Sequence, residues 1–176
     1  MYIWIGCQLP ADFGQELRSH CLAANQSIGL DPVAFSLPQH ISLKISFHAA
    51  DHQAVLEELT AFLSAQQPFS VRLCHAEQLD NILWLPAGEN DTLRQLHEQL
   101  DGFLERRFGI PQHEFDKVFL FHSTLFIDER TDKVAAMRDA LSGFPLPREL
   151  EVNTFLLGLS SDGTAGSYRV VRVIEV

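Results

Sequence analysis

Two short stretches carry the side chains best suited to chemistry: His40-Ile41-Ser42-Leu43 and His122-Ser123-Thr124-Leu125. Each sets a hydroxyl two residues after an imidazole and a leucine directly after the hydroxyl, and an isoleucine (Ile45, Ile127) follows in both. Along a strand, residues two apart share a face and the residue between them points the other way. His40 and Ser42 are therefore expected on one surface, as are His122 and Thr124, with Leu43 and Leu125 anchoring the strands from behind. Two such strands facing one another would bring two imidazoles and two hydroxyls to one spot. At a phosphodiester, a neutral imidazole takes a proton from the attacking hydroxyl or water, and a protonated one gives a proton to the leaving oxygen. Hydroxyls donate to the non-bridging oxygens, where charge accumulates in the transition state. The scheme calls for no metal and no cofactor. A given histidine is followed by x-[Ser/Thr]-Leu roughly once in a hundred cases, so two such runs among the eight histidines of this chain are more than composition explains.

The elements that must position these groups follow from periodicity and breakers. Residues 1–9 read as a buried first strand, and Pro10-Ala11-Asp12 opens a helix to about residue 28, ended by Gly29. Pro32 and Pro38 make 31–39 a loop, after which 40–47 is the first motif strand. Asp51 caps a helix over 53–65, with Val55, Leu56, Leu59, Phe62 and Leu63 at helical spacing. Strands at 69–75 and 81–86 are joined by a turn at Leu79-Asp80-Asn81, and a helix over 91–108 ends at Gly109. The second motif strand covers 118–127, a helix runs from Thr131 or Asp132 to about 141, and 151–159 with 167–176 forms a closing hairpin. The order β-α-β-α-β-β-α-β-α-β-β, rich in hairpins, predicts an α+β fold of mostly antiparallel sheets and not a doubly wound parallel one. Each half repeats motif strand, helix and proline break, and no linker separates them. Residues 1–176 are therefore expected to form a single bilobal domain.

Composition limits the partners. Hydrophobic residues make up 46% and charged residues 20%, the balance of a globular protein. The net charge of −10, from 23 acidic and 13 basic side chains, disfavours gripping long DNA or RNA, which relies on many phosphate contacts. A small anion or the end of a nucleic acid suits a local pocket better. No apolar run reaches the roughly 18–20 residues of a membrane span, and MYIWIGCQLP lacks the basic start and cleavage site of a signal peptide. Cys7, Cys21 and Cys74 are scattered, with no C-x-x-C, which predicts reduced thiols in a cytoplasmic protein. The oligomeric state is left open by these patterns.

The two tetrads resemble the signature of the 2H phosphoesterase superfamily, H-x-[T/S]-hydrophobic twice, and in particular its 2′-5′ RNA ligase-like and cyclic phosphodiesterase members. "HISLKISF" is similar to the family's first motif strand and "NILWLP" to its intervening strand. "TFLLGLSSDGTAGSYRVVRVIEV" resembles its final hairpin, so the likeness spans the chain in order. The resemblance implies a pseudo-two-fold bilobal fold, two sheets flanked by helices with a tetrad on each side of a central cleft. It implies metal-independent hydrolysis of a 2′,3′-cyclic phosphodiester or handling of 2′-5′ linkages in a small nucleotide or RNA end. His40 and His122 would be the acid/base pair, and Ser42 and Thr124 the phosphate-binding groups. A non-catalytic nucleotide- or RNA-end-binding module keeping the same cleft is the competing function. Two departures stand out: Ser42 lacks the β-branch of the commoner threonine, and Phe126-Ile127 occupies the place where some RNA-processing members carry an arginine, with Arg130 beyond it.

Other features have plainer explanations. Lys44 shares a face with His40 and Ser42 by parity, so it is either a cation at the cleft mouth or a solvated strand lysine. His48 and His52, four apart, lack a third metal ligand nearby. Arg106 and Arg107 sit where cations complement a helix C-terminus. Trp4 and Trp84 are expected to pack in the cores, with base stacking as the alternative.

Overall fold

The computed structural model describes residues 1–176. In chain order its elements are β1 (Tyr2–Gln8), α1 (Ala11–Ile28), β2 (His40–Ser42), β3 (Phe47–His48), α2 (His52–Ser64), β4 (Phe69–Leu73), β5 (Glu77–Leu79) and β6 (Ile82–Pro86). There follow α3 (Asp91–Phe108), β7 (His122–Ile127), α4 (Thr131–Ala140), β8 (Arg148–Val152), β9 (Thr154–Ser160) and β10 (Arg169–Glu175). Short 3-10 turns occupy Val33–Ser36, Glu114–Val118 and Leu141–Gly143.

Local chemistry sets the helix ends. The Asp51 carboxylate accepts the Ala54 N–H at 3.2 Å, and the Asn90 side-chain oxygen accepts the Leu93 N–H at 2.9 Å. Caps of this kind are worth about 0.5–2 kcal/mol each. Helices α1 and α3 both stop at a glycine in the left-handed region, Gly29 (φ 74°) and Gly109 (φ 64°), a conformation other residues adopt only with strain. Helix α1 buries Phe13, Leu17 and Cys21, and α3 buries Leu93, Leu96, Leu100 and Leu104, one stripe on each. Each fully buried leucine contributes roughly 1.5–3 kcal/mol.

The strands build two antiparallel sheets. One has the order β10-β9-β1-β2, with β3 also paired to β1. The other joins β8-β4 to β5-β6-β7 through a Leu73–Ala87 bridge and the bonds Cys74 N–H to Pro86 O and Gly88 N–H to Arg72 O, both 2.8 Å. The turn expected at Leu79-Asp80-Asn81 is present, but its first arm is β5, a strand absent from the expected order; the strand expected over 69–75 stops at Leu73 and pairs with β8 instead of with 81–86. Each sheet ends in one motif strand, β2 or β7, and those two edges meet in the middle of the molecule. Helix α2 packs on the first sheet at β10, and α4 lies against α1, β5 and β6. This is the expected α+β arrangement of two lobes about a cleft, with one continuous apolar core.

Three expected boundaries shift, each for a physical reason. The strand over 40–47 stops at Ser42, because the chain turns to bury Lys44 and resumes pairing with β1 only at Phe47. The strand over 118–127 begins at His122, because the Asp116 carboxylate is drawn inside and coils 114–118 into a 3-10 turn. The strand over 151–159 is two strands: β8 pairs with β4 in one sheet, and after Asn153 the chain crosses to pair with β1 in the other.

Candidate active site

Both motif histidines open their strands and are held in the same way. His40 Nδ1 lies 2.7 Å from the Pro38 carbonyl oxygen, and His122 Nδ1 lies 2.6 Å from that of Leu120, in each case two residues upstream. A carbonyl oxygen only accepts, so each Nδ1 carries a proton and donates it. In the neutral ring this leaves Nε2 with a free lone pair, and the two imidazoles present matching atoms. Burial alternates as a pleat requires: His40 and Ser42 are half-buried around fully buried Ile41, and His122 and Thr124 around fully buried Ser123. A bulge interrupts the second strand. Thr124 pairs with Trp84 and Phe126 with Leu83, leaving Leu125 as the extra residue, so Leu125 and Phe126 are both buried although adjacent.

The rings titrate low. Burial pushes the His40 imidazole down to about 4, against a raising effect from its bond to Pro38, and a charge on nearby His122 lowers it further. Burial likewise lowers His122, opposed by its bond to Leu120. At neutral pH both rings are therefore uncharged, able to accept a proton, and an anion beside them would favour the protonated form.

The edges are stitched together directly beside the histidines. Ser123 Oγ donates to Gln39 Oε1 at 3.0 Å, and both side chains are buried. Two tryptophans back the imidazoles, one from each neighbouring strand. Trp4 on β1 meets His40 edge-on with ring centroids 4.3 Å apart, and Trp84 on β6 meets His122 at the same distance. Trp4 Nε1 donates to Ser42 Oγ at 3.0 Å, whereas buried Trp84 Nε1 has no partner. Composition alone places both simply in the core; the further signal in the sequence is Gly6, a strand glycine two residues from Trp4, which marks a close approach.

Lys44 is not at the cleft mouth. It is 2% exposed, its ammonium 2.5 Å from Asp101 and 2.6 Å from Asp116. Parity fails because β2 has ended: a buried ammonium must meet carboxylates, and the backbone turns to deliver it. Burial alone would raise the Asp116 carboxyl, but the Ile45 N–H, the Lys44 ammonium and the His113 N–H outweigh that and hold it below its usual range. His97 adds links to the Leu43 carbonyl (2.7 Å) and the Asp116 carbonyl (2.9 Å) and stacks on Phe119. The cluster thus ties the end of the first tetrad to the segment leading into the second.

The remaining candidates lie elsewhere. Arg130 forks onto Asp128 and the Gly29 carbonyl, outside the cleft. His48 packs against Tyr2, and His52 opens α2. Arg107 pairs with Glu58 at 2.6 Å, in addition to sitting at a helix end. No three His, Cys, Asp or Glu side chains converge as a metal-binding set. A groove of about 230 Å³ beside His122 is lined by Trp84, Asn90, Arg94, Phe119 and Phe121. The largest concavity, about 800 Å³ between residues 44–51 and 108–114, contains neither motif histidine. The motif side chains lie instead where the edges of β2 and β7 meet.

Fold and site together define an α+β protein with two His-x-hydroxyl-Leu strands set edge to edge across a cleft. The chain belongs to the 2′-5′ RNA ligase superfamily, whose family model matches residues 10–163. Similar solved structures include TT0787 of Thermus thermophilus (TM-score 0.66, 22% identity, 99% of this chain and 97% of that one covered). E. coli LigT complexed with 3′-AMP matches with a TM-score of 0.62 at 21% identity, over 99% of this chain and 97% of the other. Kluyveromyces marxianus Usb1 matches with a TM-score of 0.54 at 11% identity, over 99% and 98%. At these identities the likeness is one of fold. No curated protein matches the sequence. No helix is long and apolar enough to cross a membrane.

Proposed function

We propose that residues 1–176 work as one bilobal phosphoesterase unit that hydrolyses a 2′,3′-cyclic phosphodiester, or acts on 2′-5′ linked nucleotides, by paired-histidine acid/base catalysis. The observation that carries this reading is the matched pair of Nε2 atoms, each fixed by an Nδ1–H bond to a carbonyl two residues upstream. In hydrolysis, one neutral imidazole takes a proton from water as its oxygen bonds to phosphorus. The other, protonated, gives its Nε2 proton to the ribose oxygen as that P–O bond breaks, leaving a phosphomonoester. Ser42 and Thr124 donate to the non-bridging oxygens. The two imidazoles supply both proton transfers, so the scheme needs no metal. Burial favours the neutral form of both rings in the free protein, so the general acid takes up its proton together with the anionic substrate.

A small nucleotide or RNA end suits the net charge of −10 better than a long strand. Structures of LigT complexed with 3′-AMP, ATP and NADP+ favour nucleotide-sized ligands by analogy. A reducing cytoplasmic setting fits three free cysteines, two of them inert because burial raises their thiols, Cys21 to about 12. The test is turnover of 2′,3′-cyclic nucleotides and 2′-5′ linked dinucleotides in EDTA. Wild type should exceed a His40→Ala/His122→Ala double variant by at least about 10²-fold. Nucleotide binding without turnover, indifferent to either replacement, would instead assign a binding module.

A further inference from the structure

The two halves of the site differ in one respect. The second tetrad holds its hydroxyl on threonine, whose β-branch restricts χ1; the first holds it on serine, which has three open rotamers. The same halves differ in their tryptophans. Each indole lies 4.3 Å from its histidine, but only the indole on the serine side spends its N–H on the hydroxyl, Trp4 Nε1 to Ser42 Oγ at 3.0 Å. Trp84 faces Thr124 in register and has an unpartnered Nε1.

Trp4 is itself seated with care. Gly6 is two residues on in β1 and pairs with Ser42, while Gly158 on β9 pairs with Trp4. A Cβ added at Gly6 would lie 2.5 Å from Trp4 Cζ2, and one at Gly158 would lie 2.7 Å from Cε3. The indole therefore lies across two glycines on adjacent strands, 6% exposed, with its N–H directed at Ser42 and its ring against His40. An indole N–H only donates. It occupies a lone pair of Ser42 Oγ and leaves the serine proton free to point outward.

We infer that Trp4 is a positioning residue that does for Ser42 what the branch methyl does for Thr124: it fixes χ1 and aims the hydroxyl proton at the bound phosphoryl group. This rests on the reading of Ser42 as a phosphate-binding residue. It predicts a dependence that a purely structural tryptophan would lack, namely that Trp4 matters less when residue 42 carries its own branch.

The experiment is a four-protein comparison: wild type, Trp4→Phe, Ser42→Thr, and the double variant, assayed on a 2′,3′-cyclic nucleotide and for affinity toward inorganic phosphate. Trp4→Phe should lower kcat by about tenfold or more relative to wild type, a fraction of what a lost oxyanion donor costs. Relative to Ser42→Thr, whatever that protein's own rate, the double variant should lose less than about threefold. Equal losses in the two backgrounds, or no loss in either, would overturn the inference. If Trp4→Phe does not fold, the wild-type indole N–H reports by NMR: its solvent exchange should be slow and should accelerate in Ser42→Ala. Exchange unchanged by that replacement would also overturn it. Should no variant turn over any substrate, the phosphoesterase reading fails, while the phosphate affinities and indole exchange still decide the role of Trp4.

Discussion

Ser123 donates its hydroxyl to Gln39 Oε1 across the line where the two sheets meet, at 3.0 Å and out of contact with water. Ser123→Ala leaves a buried amide oxygen unpaired, at a cost of about 1–3 kcal/mol, read as a lower midpoint in urea. Replacing both partners by apolar residues, Gln39→Leu with Ser123→Ala, should cost less than the sum of the single changes. Additive losses would show that the contact does not join the lobes.

The depressed His40 imidazole gives a signed pH dependence. In the unfolded chain the ring titrates near its ordinary 6.5 and in the folded one near 4, so between those values the unfolded state binds more protons. Stability contributed by the neutral ring is whole above about pH 6.5 and is lost as pH falls through this window. His40→Asn should flatten the acid slope of unfolding free energy, by at most about 1.4 kcal/mol per pH unit. A wild-type and variant slope that coincide would contradict the assigned burial.

Binding should draw a proton in. At pH 6, inorganic phosphate should raise the titration midpoint of at least one motif histidine, followed by ring NMR shifts, because an adjacent anion favours imidazolium. Midpoints unmoved by saturating phosphate would place the anion away from His40 and His122.

Lys44 bridges two buried carboxylates. Lys44→Met strands both, and removing one partner of a buried ion pair costs about 3–5 kcal/mol. Removing both charges with Asp101→Asn and Asp116→Asn in the same chain should recover part of that loss. Denaturant midpoints of the three proteins check it, and a Lys44→Met protein as stable as wild type would refute the pairing.

Thr124→Val keeps the branch and deletes the hydroxyl. On the proposed mechanism kcat should fall about 10²-fold or more with the fold intact, measured on a cyclic nucleotide beside a thermal melt. A smaller fall than for Ser42→Ala would rank the serine side as the stronger phosphate contact.

The alternation of His40, Ser42, His122 and Thr124 was legible because strand parity is a local rule, and α3 was legible end to end because its apolar stripe and Gly109 are local signals too. Lys44 defeats parity for the converse reason. Its side chain is placed by Asp101 and Asp116, which are 57 and 72 residues away, and no local pattern announces such partners. The division of 148–160 at Asn153 was hidden similarly, since β8 and β9 owe their separation to β4 in one sheet and β1 in the other. Trp4 and Trp84 are buried as their composition suggests, and what burial alone could not say is which polar atom each would face.

Strands β2 and β7 are edges, one to each sheet. An exposed edge is an open invitation to a foreign strand, and proteins ordinarily guard it with charge, proline or a bulge. Here the two edges meet within the same chain, held by the Ser123–Gln39 bond and not by backbone pairing, so the seam that covers them is also where His40, Ser42, His122 and Thr124 lie. A variant that loosened this seam would be expected to disturb the setting of His40 and His122 and to lose resistance to self-association together.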